Sequence, residues 1–319
     1  MKDVENLYRS YSGYLRDKYG QKVYKLPINL PVTCPNRDGN LGRGGCTFCA
    51  DIGTGFENLP NEYTVGEQLK KNMEFIGNKY KAKKFIAYFQ DFTNTYLPLE
   101  NFKKYIYEAL QENIVEIAIS TRPDCISEEY LKFLKQVQDE EGVNISIELG
   151  LQTVNYHTLK KINRGHTLAE FIDAVLNIKK YGFIICTHLI LNLPWDDGED
   201  VIENAKIISA LNIDQVKLHA LYLLNGTIMG EMYKRGEFQL ISDSEYQDRV
   251  ITFLEYLNPE IVVQRLIGRA PKENSIFVNW DRSWWIIRDE IHEKMRQDGH
   301  YQGKKFFYLG GKALYRGKF

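Results

Sequence analysis

Residues 23–49 read VYKLPINLPVTCPNRDGNLGRGGCTFC. An apolar run suited to a buried strand leads into a glycine-rich loop carrying Cys34, Cys46 and Cys49 in a C-x11-C-x2-C spacing. Three of the chain's five cysteines therefore fall within 16 residues. Thiolates are soft ligands that select zinc, copper(I) or iron–sulfur clusters. Four cysteines around a [4Fe–4S] cluster make an electron carrier, whereas three leave one iron open to a substrate or cofactor. A structural zinc site wants four protein ligands. The loop supplies no fourth cysteine or histidine, and the nearest histidine in sequence is His157, so zinc would need a remote ligand. A redox Cys-x-x-Cys at 46–49 would leave Cys34 unexplained and does not open a helix of a thioredoxin-like unit.

Outward from this loop, apolar runs at 23–30, 84–89, 115–120, 144–149, 183–191 and 215–221 read as strands. Most are continuous rather than alternating, as strands of a covered parallel sheet are. Helical patterns fill the gaps at 68–75, 99–110, 128–137, 171–180, 199–211 and 246–257. Thr64-x-x-Glu67, Thr167-x-x-Glu170 and Ser242-x-x-Glu245 carry capping-box signatures. Six β-then-α units predict a parallel sheet with right-handed crossovers, either an open doubly wound sheet or an incomplete barrel. Both place a site at the C-terminal ends of the strands.

Composition narrows the class further. The chain has 319 residues, 44% hydrophobic and 26% charged, which excludes disorder, collagen and coiled coil. With 41 basic against 42 acidic residues the net charge is −1, so a nucleic acid would have to bind a local patch. Five cysteines, an odd count, argue against a disulfide framework. No apolar run reaches the length of a membrane span. The best candidate, 183–195, is broken by Thr187, His188 and Asn192, and residues 1–6 lack an apolar core. The expectation is a cytoplasmic protein without a membrane partner. The organisation expected is an N-terminal extension at 1–22, a core at 23–257 and a C-terminal extension at 258–319 ending in a basic–aromatic tail.

The cysteine loop after the first strand, with Phe48 just before the third cysteine, resembles the radical S-adenosylmethionine (radical SAM) enzymes. The long first gap resembles the branch containing the Elongator catalytic subunit. The resemblance spans residues 23–225 and implies an incomplete parallel (βα)6 barrel, a TIM-like radical SAM core. It implies that Cys34, Cys46 and Cys49 ligate three irons of a [4Fe–4S] cluster whose open iron chelates S-adenosylmethionine (SAM). An electron from the cluster would cleave SAM to a 5′-deoxyadenosyl radical that abstracts a substrate hydrogen. Phe48 would border the adenine. The second strand usually ends in glycines that hold the SAM amino group. This chain has Gln90-Asp91-Phe92-Thr93 instead, so the side chains of Gln90, Thr93 or Asn94 would replace that contact or form an ordinary polar turn. The stretch Glu148-Leu149-Gly150-Leu151-Gln152-Thr153 resembles an E-x-G-x-Q-[ST] segment shared with the coproporphyrinogen-oxidase-like branch. Gln152 matches a SAM-contacting position, Arg164 the arginine that pairs with the SAM carboxylate, and His188 a polar position near the ribose. Glu148 in an apolar strand demands a partner or ligand, because a buried charge is costly unless paired, and it is counted among the candidate cofactor-binding residues. Arg122, His219 and Tyr222 stand at expected strand ends without an assigned role. Cys125 reads as a small buried hydrophobe.

Four phrases together resemble a narrower group, the bacterial YtqA/YhcC radical SAM family, and within it the Gram-positive YtqA branch. They are C-P-N-R-D-G, F-Q-D-F-T-N-T-Y, S-T-R-P-D-C and H-A-L-Y. The resemblance implies modification of the tRNA wobble uridine, with 5-carboxymethylaminomethyl-uridine converted to 5-aminomethyl-uridine. It also implies a reducing partner such as flavodoxin or ferredoxin. Two alternatives are a radical SAM reaction on a small-molecule or cofactor precursor and a non-catalytic, zinc-stabilised RNA-binding module. Residues 301–319 carry five cations and no acid among Phe306, Phe307, Tyr308, Tyr315 and Phe319. Such a pattern can hold phosphates and stack bases, or be a solvated face. Lys79, Lys81, Lys83 and Lys84, then Arg37 and Arg43, then segment 263–269, add further positive charge. The tyrosines between Tyr8 and Tyr19 would either stack bases or cover an open barrel edge.

Overall fold

The computed structural model describes residues 7–49, 58–270 and 274–314. Its main sheet is built from β1 (Val23–Ile28), β2 (Lys84–Phe89), β3 (Ile114–Thr121), β4 (Asn144–Gln152), β5 (Ile184–Ile190) and β6 (Gln215–His219). After the two-residue β7 (Leu223–Leu224) comes β8 (Val262–Arg265), and then β9 (Ser275–Phe277), which pairs with β7. The main sheet runs β1-β2-β3-β4-β5-β6-β8, all parallel. The helices are α1 (Tyr11–Tyr19), α2 (Val65–Tyr80), α3 (Leu99–Glu108), α4 (Glu128–Glu141), α5 (Tyr156–Lys161), α6 (Leu168–Lys179), α7 (Gly198–Ala210), α8 (Ile228–Lys234), α9 (Asp243–Tyr256) and α10 (Trp284–Gln297).

All six expected strands form, and β8 adds a seventh that the sequence reading did not name. At four residues, with a register shift against β6, it is too short for a periodicity signal. The capping boxes at Thr64/Glu67 and Thr167/Glu170 close in both directions. At Ser242 only half forms: the hydroxyl accepts from Glu245 N–H without the reciprocal carboxylate bond. Asp197 and Asp200 make another full box, opening α7.

The sheet is curled. Seven strands spaced about 4.8 Å apart would hold the outer two nearly 30 Å apart if flat. Yet Lys25 Nζ of β1 donates to Gln264 Oε1 of β8 at 3.0 Å. The seam between these edges is covered by α1. Ser10 bridges Val263, whose N–H donates to Arg9 O, and Tyr11 packs its ring against Lys25. Tyr11, Tyr14 and Tyr19 pack on Leu15, Val23, Ile86, Tyr88 and Ala118. The N-terminal tyrosines thus serve as the barrel's cover.

The half-barrel interior is polar at mid-height. Glu148 of β4 is fully buried and accepts from Lys25 Nζ, Lys217 Nζ (2.6 Å), Gln264 Nε2 (3.2 Å) and His188 Nε2 (2.8 Å). Lys217 also donates to Tyr88 OH, which accepts from Ser120 Oγ. The partner expected for Glu148 is therefore two lysines and a histidine. Burial alone would raise its pKa, but Lys217 and Lys25 outweigh that and hold it well below the carboxylate range. Burial, then Lys217, lowers His188 to about 4.

The C-terminal segment is docked. Gln302 Oε1 accepts from Arg9 N–H, and its Nε2 donates to the carbonyls of Asn258 (2.7 Å) and Ile261 (2.8 Å). Lys305 and Lys304 pair with the buried Glu255 at 2.5 and 3.8 Å. Tyr315, Arg316, Lys318 and Phe319 lie outside the described residues.

Two stability effects follow from these contacts. Gln302→Ala strands one buried N–H and two carbonyls, so a loss of about 2 kcal/mol and a fall of a few degrees in Tm are expected by calorimetry. His188 sits below its unfolded value, so the unfolded chain binds more protons between pH 6.5 and about 4. Stability is full above 6.5 and falls with acid across that window, by at most about 1.4 kcal/mol per pH unit from this group. Denaturant melts of His188→Gln at pH 7.5, 6.5, 5.5 and 4.5 should show a shallower acid limb; an unchanged slope would remove His188 from the acid response.

Candidate functional site at the C-terminal mouth

The cysteine loop follows β1. Its 11-residue gap is a folded hairpin rather than slack chain. Asp38 bridges Arg43, Leu41 N–H donates to Pro35 O, and Gly39 N–H to Gly42 O. This return brings Cys46 back toward Cys34. Gly44 and Gly45 both sit in the left-handed region, at φ 79° and 80°, and a Cβ on Gly45 would stand 3.1 Å from Arg37 Cγ. The second turn is pinned from two sides: Thr47 N–H donates to Ile162 O after α5, and Met229 N–H of α8 donates to Thr47 O. Phe48 packs on the apolar cluster of Leu159, Ile162, Ile190, Leu193 and Leu221.

Each of the three loop thiols has a guanidinium beside it. Arg37 Nη1 lies 3.5 Å from Cys49 Sγ, Arg122 Nη1 3.8 Å from Cys34 Sγ, and Arg164 Nη1 3.4 Å from Cys46 Sγ. Asn36 Nδ2 adds a contact to Cys46 Sγ at 3.8 Å and donates to Asn163 O at 2.5 Å. Cys34 and Cys46 are buried and Cys49 is partly so. Burial, then Cys46, pushes the Cys49 thiol up to about 11 despite Arg37. A metal bound there would displace the proton, as thiolate ligation requires.

The donor set fits an anionic iron–sulfur cluster. Three thiolates around a [4Fe–4S] core leave a net negative charge, and N–H groups aimed at sulfur stabilise it. A single zinc fits less well. Zn–S bonds of about 2.3 Å hold sulfurs roughly 3.8 Å apart. Among the described residues, the group with ligand atoms all within 4.8 Å of one another is Glu148, Cys186 and His188, not the three loop cysteines.

The arginines are themselves braced. Arg122, 2% exposed, pairs with both oxygens of Asp124 at 2.8 and 2.6 Å and donates to Arg164 O. Arg164 Nε and Nη2 donate to Gly150 O at 3.2 and 2.6 Å. Gly165, at φ 79°, leaves room for this meeting; a Cβ there would stand 3.0 Å from Asn36 Oδ1 and 3.2 Å from Arg122 Nη2. Burial, then Arg164 and Arg122, lowers the adjacent His166 to about 3, so it stays neutral.

The structure thus brings Arg164, Gly150 and the cysteine loop together. Gln152 ends β4 at φ 78°, beside a register shift. A left-handed glutamine is strained, and such strain persists where the surroundings impose it. Gln90 and Thr93 follow β2. Gln90 N–H donates to Ile28 O, and Thr93 is buried. Asn94 is committed to the fold, its Nδ2 donating to the carbonyls of Phe89, Asp91 and Ser120. Arg37 packs over the Phe92 ring and links this turn to the cysteine loop. Glu148 and His188 lie deeper, in the polar layer already described.

Sequence reasoning missed Asn36, Asn163, Lys25 and Lys217. The lysines were within reach, because the desolvation argument applied to Glu148 applies equally to lysines in the apolar strands β1 and β6. Arg37 and Arg265 were read as outward positive charge. Arg37 instead turns onto a thiol, and Arg265 contacts His219. Lys79, Lys81, Lys83 and Lys84 surround the start of β2, at the end of the sheet opposite the cysteines.

No helix among the described residues is long and apolar enough to cross a membrane. The radical SAM superfamily model matches residues 29–208, and the radical SAM C-terminal domain model matches 213–297. YtqA of Bacillus subtilis (strain 168) is 35% identical over 308 residues, covering 95% of this chain and 94% of that protein. The tRNA uridine(34) acetyltransferase of Methanocaldococcus jannaschii is 28% identical over 302 residues, covering 80% of this chain and 53% of that protein. Among solved structures, archaeal Methanocaldococcus infernus Elp3 with an N-terminal deletion (1–46) superposes with a TM-score of 0.66 at 20% identity. That match covers 88% of this chain and 64% of that one, and it supports the curled barrel fold. With the family model matched over more than half of its length, the chain belongs to the radical SAM superfamily of enzymes, which bind a [4Fe–4S] cluster and SAM and draw on a reductant.

Proposed function

We propose that this protein modifies the wobble uridine of tRNA, converting 5-carboxymethylaminomethyl-uridine to 5-aminomethyl-uridine. The observation that carries the catalytic part is the set of three thiols, each faced by a guanidinium, at the C-terminal mouth of the half-barrel. In this reading Cys34, Cys46 and Cys49 hold the cluster. Bound there, cluster and SAM would supply hydrogen-atom abstraction from the glycyl carbon of the side chain; return of one electron to the cluster and hydrolysis of the resulting imine by water would release the two-carbon group as glyoxylate and leave the aminomethyl base. Arg37, Arg122, Arg164 and Asn36 offset the cluster's negative charge and fix the thiols. Gln90, Thr93, Gln152, Arg164 and His188 are the SAM contacts proposed, with Phe48 against the adenine. Glu148 orients His188 from below rather than meeting SAM directly, since its oxygens are taken by Lys25, Lys217, Gln264 and His188.

The tRNA part is supported by the four YtqA-like phrases and by a relative named for uridine 34 of tRNA. Around the mouth, Arg43 is exposed on the cysteine hairpin. The reaction would run in the cytoplasm, with flavodoxin or ferredoxin as the electron source.

After anaerobic reconstitution, about four irons per chain and dithionite-dependent 5′-deoxyadenosine are expected, and Cys46→Ala should lose both. Retained SAM cleavage in Cys46→Ala would refute its ligand role. With tRNA carrying 5-carboxymethylaminomethyl-uridine, nucleoside mass spectrometry should show 5-aminomethyl-uridine. SAM cleavage with the RNA base left unchanged would sink the wobble-uridine reading while leaving the radical chemistry in place.

A further inference from the structure

Arg265 is the last residue of β8 and His219 the last of β6, so both stand at the C-terminal mouth. Arg265 Nη2 lies 2.7 Å from Nδ1 and 3.1 Å from Nε2 of His219. Its Nε is buried and makes no hydrogen bond. Among the described residues no carboxylate lies within ion-pair distance of this guanidinium. The comparison within the molecule is direct: Arg122 has Asp124, Arg249 has Glu245, and Arg282 has Asp243 and Glu290. Glu148, the acid of the barrel interior, is saturated by other donors.

The surroundings are shaped for the arginine but do not satisfy it. A Cβ on Gly268 would stand 3.1 Å from both Cζ and Nη2, so the guanidinium packs closely on this glycine. Burial and Arg265 itself hold His219 well below the usual histidine range, so the ring is neutral and does not repel an anion's partner. The His219 ring packs 5.2 Å from that of His188. Tyr222 lies within electrostatic reach of Cys49 and Arg265 together. Arg265 and His219 stand at the same end of the parallel sheet as the loop that follows β1.

A half-buried guanidinium with free donors is costly to hold without an anion, and its planar fork matches a carboxylate. We propose that Arg265, with His219 beside it, is the receptor for a carboxylate carried by the substrate. This rests on the wobble-uridine reading, in which the base to be modified carries a carboxymethyl group. A carboxylate can also come from SAM, and the test separates the two sources.

Reconstituted holoenzyme is titrated with two anticodon stem-loops, one with 5-carboxymethylaminomethyl-uridine and one with 5-methylaminomethyl-uridine, which lacks the carboxylate. SAM affinity is measured in parallel by equilibrium dialysis. Loss of a charged hydrogen-bond partner is worth roughly ten- to hundred-fold in affinity. The wild type should favour the carboxylated RNA by about that factor. Arg265→Met should abolish the preference without moving SAM affinity, and Arg265→Lys should restore part of it. Removing an unpaired cation should leave Tm unchanged or raise it, so a large fall in Tm would mark Arg265 as structural and overturn the proposal. A preserved preference in Arg265→Met would overturn it too. A loss of SAM affinity instead would assign the guanidinium to SAM. If wild type does not distinguish the RNAs, the wobble-uridine reading fails, and N-benzylglycine against its uncharged amide tests the anion site alone. Tighter binding of the acid that disappears in Arg265→Met would support the receptor; equal binding would refute it.

Discussion

One buried carboxylate organises this half-barrel. Glu148 sits where an ionised group is expensive, and its cost is offset only because Lys25, Lys217, His188 and Gln264 converge on it. Those partners come from β1, β6, β5 and β8. The contact between Lys25 and Gln264 ties together strands that a flat sheet would hold far apart. Curling brings the C-terminal ends of the strands into one mouth, and α1 covers the seam left between the two edges. The tyrosines of the N-terminal segment, the docking of Gln302 and the placement of the cysteine loop are all consequences of that closure.

Charge is sorted along the barrel. The interior acid is over-compensated by lysines, while the mouth collects guanidinium groups around three thiols. Arg122 and Arg164 reach the thiols only because their remaining donors are held by Asp124 and Gly150 O. Glycine is required at the meeting point, since a side chain at Gly165 would press on Asn36 and Arg122. In a partly desolvated site such oriented N–H groups act more strongly than in water. The mouth therefore gathers donors suited to negative charge around the three thiols, and Arg265 adds a further cation at the end of β8.

Legibility in the sequence followed the range of the interaction. The six long strands were readable because continuous apolar runs bounded by turn residues are local. So were the capping boxes at Thr64 and Thr167, which depend on residues three apart. The four-residue β8 and the missing half of the Ser242 box were not, because both are decided by neighbours distant in sequence. The cysteine spacing was plain, but the cationic ring around it joins residues from 37 to 164. The docked C-terminal segment looked like a free basic arm, since nothing in its own composition shows that Glu255 already holds Lys304 and Lys305.

The sequence by itself determined the α/β class, the parallel sheet, the three-cysteine loop and the family, because local periodicity and short motifs encode each of them. Tertiary structure alone decided which charges face one another. It turned Arg37 from a candidate RNA contact into a thiol neighbour, made Glu148 the anchor of the interior, and left Arg265 without a carboxylate at ion-pair distance among the described residues. The physical reason is that electrostatic pairing depends on distance through space and on burial. Neither quantity is fixed until the sheet has curled and its edges have met.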